Sequence, residues 1–96
     1  MNKEQVLAKL REHEPELKAS GIVSLALFGS VARGERGNDV DLMADFDAAK
    51  SLTLFDMVRL ERRLAEIVGM PVDLASTKML KERVKRRASR ESVLAF

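Results

Sequence analysis

Gly29-Ser30-Val31-Ala32-Arg33-Gly34, followed after four intervening residues by Asp39-Val40-Asp41-Leu42, is the stretch that decides how this chain folds. The near-continuous apolar run Ile22–Phe28 just before it reads as a buried strand. Gly29 lets the backbone turn sharply at its end, and Ser30 is suited both to cap a short helix and to offer its hydroxyl to a phosphate oxygen. Free amides at such a helix start attract anions. Asp39 and Asp41 sit two apart, so on a strand both carboxylates point to one face while Val40 and Leu42 point to the other. They offer two hard oxygen ligands to a divalent metal. Alone, Gly29-Ser30 would be an ordinary strand-to-helix turn and the aspartates a solvated strand edge. Their occurrence together, in this order, points to a site.

Working outward, Asn2 with Gln5 has the form of a capping box, and Val6, Leu7, Leu10 and Leu17 recur at helical spacing. A first helix is expected from Lys3, kinking or restarting at Pro15 and ending near Gly21. The second strand is expected over Val40–Phe46, with Val40, Leu42, Ala44 and Phe46 on one face and the aspartates on the other. Thr53 and Asp56 open another capped helix, whose stripe of Met57, Leu60, Leu64, Ile67 and Val68 ends at Gly69 and Pro71. A third strand over residues 72–75 follows, then a helix over 78 to about 87 capped by Ser76 or Thr77, and a short apolar end. The reading is α+β, a three- to four-stranded mixed sheet with helices on one face and the site on the other.

With 96 residues, a single domain spanning 1–96 is expected, with room for one core and none for a separate recognition domain. There is no cysteine, hence no disulfide or thiolate metal site. No apolar run approaches the roughly 18 residues of a membrane span, and the first residues lack a signal-peptide core. A cytoplasmic protein with no membrane association is expected. The net charge of +2 conceals an asymmetry: Lys78 opens and Arg90 closes a stretch holding seven basic residues and one acid, while residues 1–77 hold ten basic and thirteen acidic ones. The basic stretch is a candidate partner surface. Four Phe with no Tyr or Trp supply few stacking platforms, which argues against nucleic acid as the partner.

The Gly-Ser turn and the Asp-x-Asp pair, with Asp73 in Met70-Pro71-Val72-Asp73-Leu74-Ala75 as a third carboxylate on a later strand, resemble the nucleotidyltransferase fold of the DNA polymerase beta superfamily. The short chain and the full Gly-Ser-x-Ala-Arg-Gly form are similar to its minimal nucleotidyltransferases, many of which are antitoxins paired with a HEPN-domain ribonuclease toxin. Asn38 stands where the family most often has Ser, and Asn caps and turns the chain as well. The resemblance implies that Asp39, Asp41 and Asp73 are catalytic and hold two Mg²⁺ ions, with Mn²⁺ as a substitute. It implies that Gly29 and Ser30 bind the β- and γ-phosphates of ATP. Arg33 either reaches the triphosphate or pairs with a nearby carboxylate and fixes the loop. Gly34 and Gly37 are assigned to the turn.

By the same resemblance the reaction is transfer of AMP from ATP to a hydroxyl, with a Tyr of a cognate HEPN toxin as the acceptor. A non-catalytic antitoxin that masks its toxin by binding is the alternative, as is transfer to a small molecule, which the lack of a second domain disfavours. A homo-oligomer is compatible with this reading. Asp45 and Asp47 are expected to be solvated, His13 to be a surface residue and the methionines to fill the core.

Overall fold

The computed structural model describes residues 2–35, 37–80 and 82–96. The capping box at Asn2 forms as its sequence implies: the Asn2 side chain accepts from the Gln5 amide, and the Gln5 side chain accepts from the Asn2 amide, each at 2.9 Å. Helix α1 (Lys3–Glu12) follows, and Pro15 at the second position of α2 (Glu14–Ala19) restarts the helix rather than kinking it. Strand β1 (Ile22–Phe28), a four-residue helix α3 (Gly29–Ala32) and strand β2 (Val40–Phe46) come next. Helix α4 (Leu54–Val68) opens on the Thr53 and Asp56 capping box and ends on Gly69 in the left-handed region. Strand β3 (Val72–Ser76), helix α5 (Glu82–Glu91) and strand β4 (Val93–Leu94) complete the chain.

The four strands form one mixed sheet in the order β3-β2-β1-β4. β1 pairs antiparallel with both β2 and β4, whereas β2 and β3 run parallel, joined by the crossover through α4. One face carries Leu25 and Leu27, Val40, Leu42 and Ala44, and Val72 and Leu74, all buried. Val6, Leu7 and Leu10 of α1 and Leu60, Leu64, Ile67 and Val68 of α4 close over that face to make the core. Leu10, Leu17 and Leu64 are fully buried, so these helices are held mainly by packing rather than by propensity. A bidentate pair fastens α2 to α4, with Arg63 donating to both carboxylate oxygens of Glu16 at 2.6 and 2.8 Å.

A bulge lies between Ile22 and Ser24, where the register of β1 against β2 slips. It returns Ile22 to the core alongside odd-numbered Leu25 and Leu27 and leaves Val23 more than half exposed. The expected helix over 78 to about 87 is corrected. Residues Thr77–Met79 make a single 3-10 turn, Leu80 is extended, and the helix proper is Glu82–Glu91. Leu80 packs instead, as Phe28 does, against the cluster of Ala26 and Met43 on the other sheet face. The segment from edge strand β3 to the opposite edge β4 therefore crosses that second face, and α5 touches β1 and α3. Met43 is buried and Met57 and Met70 are partly so, but Met79 is 85% exposed and fills nothing. Lys81 and the side chain of Lys85, both within the basic stretch, lie outside the described residues, as does Met1. No helix among the described residues is long and apolar enough to cross a membrane.

Candidate active site

β1 delivers the chain to the second sheet face at Phe28, and Gly29 then takes φ +77°, in the left-handed region. Space demands glycine as strongly as handedness does. A side-chain carbon at Gly29 would collide with the Asp41 carboxylate, whose oxygen Oδ2 lies against the position it would occupy. The turn thus seats directly on a carboxylate. α3 buries Val31 and Ala32 and is closed by backbone bonds from Arg33 to Gly29 (3.2 Å), Gly34 to Val31 (3.0 Å) and Glu35 to Ser30 (2.9 Å). The loop then folds back, and Gly37 approaches so closely that a side-chain carbon there would meet the Ser30 hydroxyl. Gly34, at φ +80° with open space around it, serves the turn alone, as expected; Gly37 adds a close approach to Ser30 that the sequence did not disclose.

Asp41 on β2 and Asp73 on β3 are directly in register across the parallel pair. Adjacent strands lie about 4.8 Å apart, so the two carboxylates stand side by side on the face opposite the core. Phe28 is the partner of Asp41 on the other flank. Asp41 is partly buried, and burial pushes its carboxyl up from the ordinary 3.8; the negative charges of Asp73 and Asp39 push the same way, and the Arg33 guanidinium opposes them. Asp73 is exposed, and Asp39 is exposed on the turn that precedes β2. Among the described residues no three His, Cys, Asp or Glu side chains stand close enough together to hold a metal ion by themselves. The arrangement is a carboxylate pair beneath a glycine turn, with a third carboxylate at its rim.

The remaining acids have other partners. Ser24 donates its hydroxyl to Asp45 at 2.8 Å, a cross-strand pair on the site face, so Asp45 is a structural residue rather than a merely solvated one. Asp47 accepts from the Ala49 amide at 3.0 Å and caps the 3-10 turn Ala48–Lys50. The His13 Nδ1 lies 2.9 Å from the Lys9 carbonyl at the junction of α1 and α2. Arg33 pairs with carboxylates: Nε and Nη2 each donate to Glu35 at 3.3 Å, and Nη1 donates to Glu91 at 3.0 Å. Glu35 and Glu91 were not singled out from the sequence. The available signals were Glu35, two residues from Arg33, and Glu91, an acid in the last turn of a basic helix, where the helix dipole disfavours it.

A strand, a glycine turn onto a short helix, and carboxylates paired across parallel strands define an enzyme class that works on phosphate esters, namely the nucleotidyl-transferring α+β proteins. The chain belongs to the nucleotidyltransferase domain family, which it matches over residues 4–95, and it is a nucleotidyltransferase. It is 34% identical over 93 residues to the protein adenylyltransferase MntA of Thermococcus cleftensis, covering 94% of this chain and 92% of that protein. A solved structure described as a minimal nucleotidyltransferase superposes with a TM-score of 0.78 at 36% identity, covering 97% of this chain and 95% of the other. At the level of fold alone, the chain also resembles a structure of a tri-AMPylated Shewanella oneidensis HEPN toxin in complex with MNT antitoxin. That likeness has a TM-score of 0.64 at 18% identity and covers 91% of this chain and 70% of the other.

Proposed function

We propose that this chain transfers AMP from ATP to a protein hydroxyl, the acceptor being a tyrosine of a HEPN-domain toxin that it neutralises. The observation that carries the reading is the register of Asp41 with Asp73 directly under the Gly29 turn. The activity named for the Thermococcus relative and the AMPylated toxin of the Shewanella complex support the choice of group and acceptor. Gly29 would let the backbone approach the β- and γ-phosphates, and the Ser30 hydroxyl would donate to them. The acceptor oxygen attacks the α-phosphorus as the bond to the bridging oxygen breaks, and pyrophosphate leaves with that electron pair. Asp73, exposed beside Asp41, takes the proton of the attacking hydroxyl.

The donors fit a hard divalent cation. Asp39, Asp41 and Asp73 offer only carboxylate oxygens, and at Asp41 the negative charges of Asp73 and Asp39 are opposed, among the described residues, by Arg33. Mg²⁺ needs only one or two carboxylates where substrate phosphates complete its shell, so a closed protein cage is not required. These three residues would hold two Mg²⁺ ions, or Mn²⁺, and the bound ions would stabilise the charge that develops on the attacking and leaving oxygens.

α5 presents Arg83, Arg86, Arg87 and Arg90 exposed, and its own acids neutralise little: Arg86 lies 3.9 Å from Glu82 and Arg87 3.8 Å from Glu91. That supports docking of an acidic toxin surface on the stretch that runs from Lys78 to Arg90. The test is incubation with ATP labelled at the α-phosphate, Mg²⁺ and a HEPN-domain protein encoded beside this chain. Label on a tyrosine, lost when Asp39→Asn and Asp41→Asn are combined, is the expected result. Label that persists in the double variant, or none with wild type, would reject the assignment.

A further inference from the structure

Glu91 closes α5 with a negative charge at the end where the helix dipole is itself negative, an arrangement the helix alone does not favour. Its carboxylate has Arg87 of the same helix at 3.8 Å, but its closer partner lies outside the helix, 58 residues earlier in the chain, where Nη1 of Arg33 donates to it at 3.0 Å. Arg33 in turn spends three of its five N–H donors on carboxylates: two on Glu35, in a fork, and one on Glu91. Both partners hold its charge in place, Glu35 more than Glu91. The guanidinium is therefore engaged by two carboxylates, near enough to Asp41 to oppose the rise of its pKa, while its own backbone belongs to the cradle. Arg33 closes α3 through its amide to Gly29, Glu35 closes the next turn through its amide to Ser30, and Gly37 rests on the Ser30 hydroxyl. The loop that shapes the surroundings of Ser30 is thus tied to α5 through one arginine.

We propose that Glu91 is a positioning residue for the nucleotide: by holding the Arg33 fork it fixes the loop over Ser30 and so sets how well the cradle accepts a triphosphate. Arg33 then acts through the loop and not by contact with phosphate. The inference rests on the nucleotide site described under the proposed function.

A double-mutant cycle tests it. ATP affinity is measured in the presence of Mg²⁺ for wild type, Arg33→Gln, Glu91→Gln and the double variant, with amide hydrogen exchange of the nucleotide-free proteins alongside. Partly exposed ion pairs are worth little, so each single variant is expected to weaken ATP binding by about two- to five-fold. The double variant should be no weaker than the worse single one. Exchange at residues 33–35 and 37 should quicken in all three, kcat should hold while KM rises, and melting temperatures should barely move. A loss confined to Arg33→Gln would make the arginine a direct phosphate ligand and overturn the proposal. Additive losses, tighter binding by Glu91→Gln, or unchanged affinity and exchange would overturn it as well. If wild type bound no ATP, the assigned function would fail and the nucleotide role with it, even where exchange quickened as expected.

Discussion

Replacing Gly29 by Ala should separate what the backbone of this site costs from what its chemistry needs. The residue sits at φ +77°, where an L side chain costs about 1–2 kcal/mol. For a domain of this length each kcal/mol moves the melting temperature by about 4–8 °C, so strain alone should lower it by about 4–16 °C. Gly69 supplies the control. It has φ +71° at the end of α4, and a side-chain carbon there meets nothing within 4 Å, so Gly69→Ala carries the strain without the collision. The two variants should melt at comparable temperatures if the Asp41 carboxylate yields to the new methyl group. Their activities should then diverge, because a displacement of about 1 Å in a reacting constellation can cost on the order of a hundred-fold in rate. Thermal melts by circular dichroism and steady-state transfer of AMP, both at a temperature where all three proteins are folded, provide the comparison. Transfer by Gly29→Ala as fast as by Gly69→Ala would refute the argument that the turn must seat on Asp41.

Asp41→Asn should stabilise the metal-free protein at neutral pH, since the folded state raises the Asp41 pKa above its ordinary 3.8 and so loses stability as pH rises through that range. In urea titrations with a chelator present, the advantage of the variant should be widest near neutrality and shrink as pH falls towards 3.8; an advantage independent of pH would contradict this origin. Ser30→Ala should cost about 0.5–1.5 kcal/mol of ATP binding, one hydrogen bond, with little change in melting temperature, and unaltered affinity in a binding titration would return Ser30 to a purely structural role. Combined Arg83→Glu, Arg86→Glu and Arg90→Glu, which spares the Glu91 pair with Arg33, should slow association with an acidic toxin at low salt and leave ATP binding intact. Equal association rates measured by stopped flow would show that α5 is not the docking surface.

What could be read from the sequence was whatever depends on neighbours a few residues away. The capping boxes at Asn2 and Thr53 need partners three residues on, the stripe of α4 repeats each turn, and Gly29 with Ser30 ahead of Asp39 and Asp41 is a strand-turn-strand pattern. Each is fixed by local geometry, so spacing alone disclosed it. Asp73 was reached through the family resemblance, which asks for a third carboxylate on a later strand; its register with Asp41 is set by the parallel pairing of β3 with β2, which the sequence did not disclose. What escaped depends on contacts distant in sequence. The run Ile22–Phe28 is apolar nearly throughout, so nothing in it marks the bulge at Val23 that moves Ile22 back to the core. Leu80 breaks the expected helix because an apolar shelf of Ala26, Phe28 and Met43 waits on the far face, and two strands of that shelf come from elsewhere in the chain. Arg33 met the same limit. Its residue type fits phosphate and carboxylate equally well; Glu35 lies two residues on, but only the fold brings Glu91 to it across 58 residues. The same limit divides the candidate site: the Gly29-Ser30 turn and the Asp39-Asp41 pair lie close together in sequence, whereas Asp73 and the Glu91 contact of the proposed loop control reach them only through the fold.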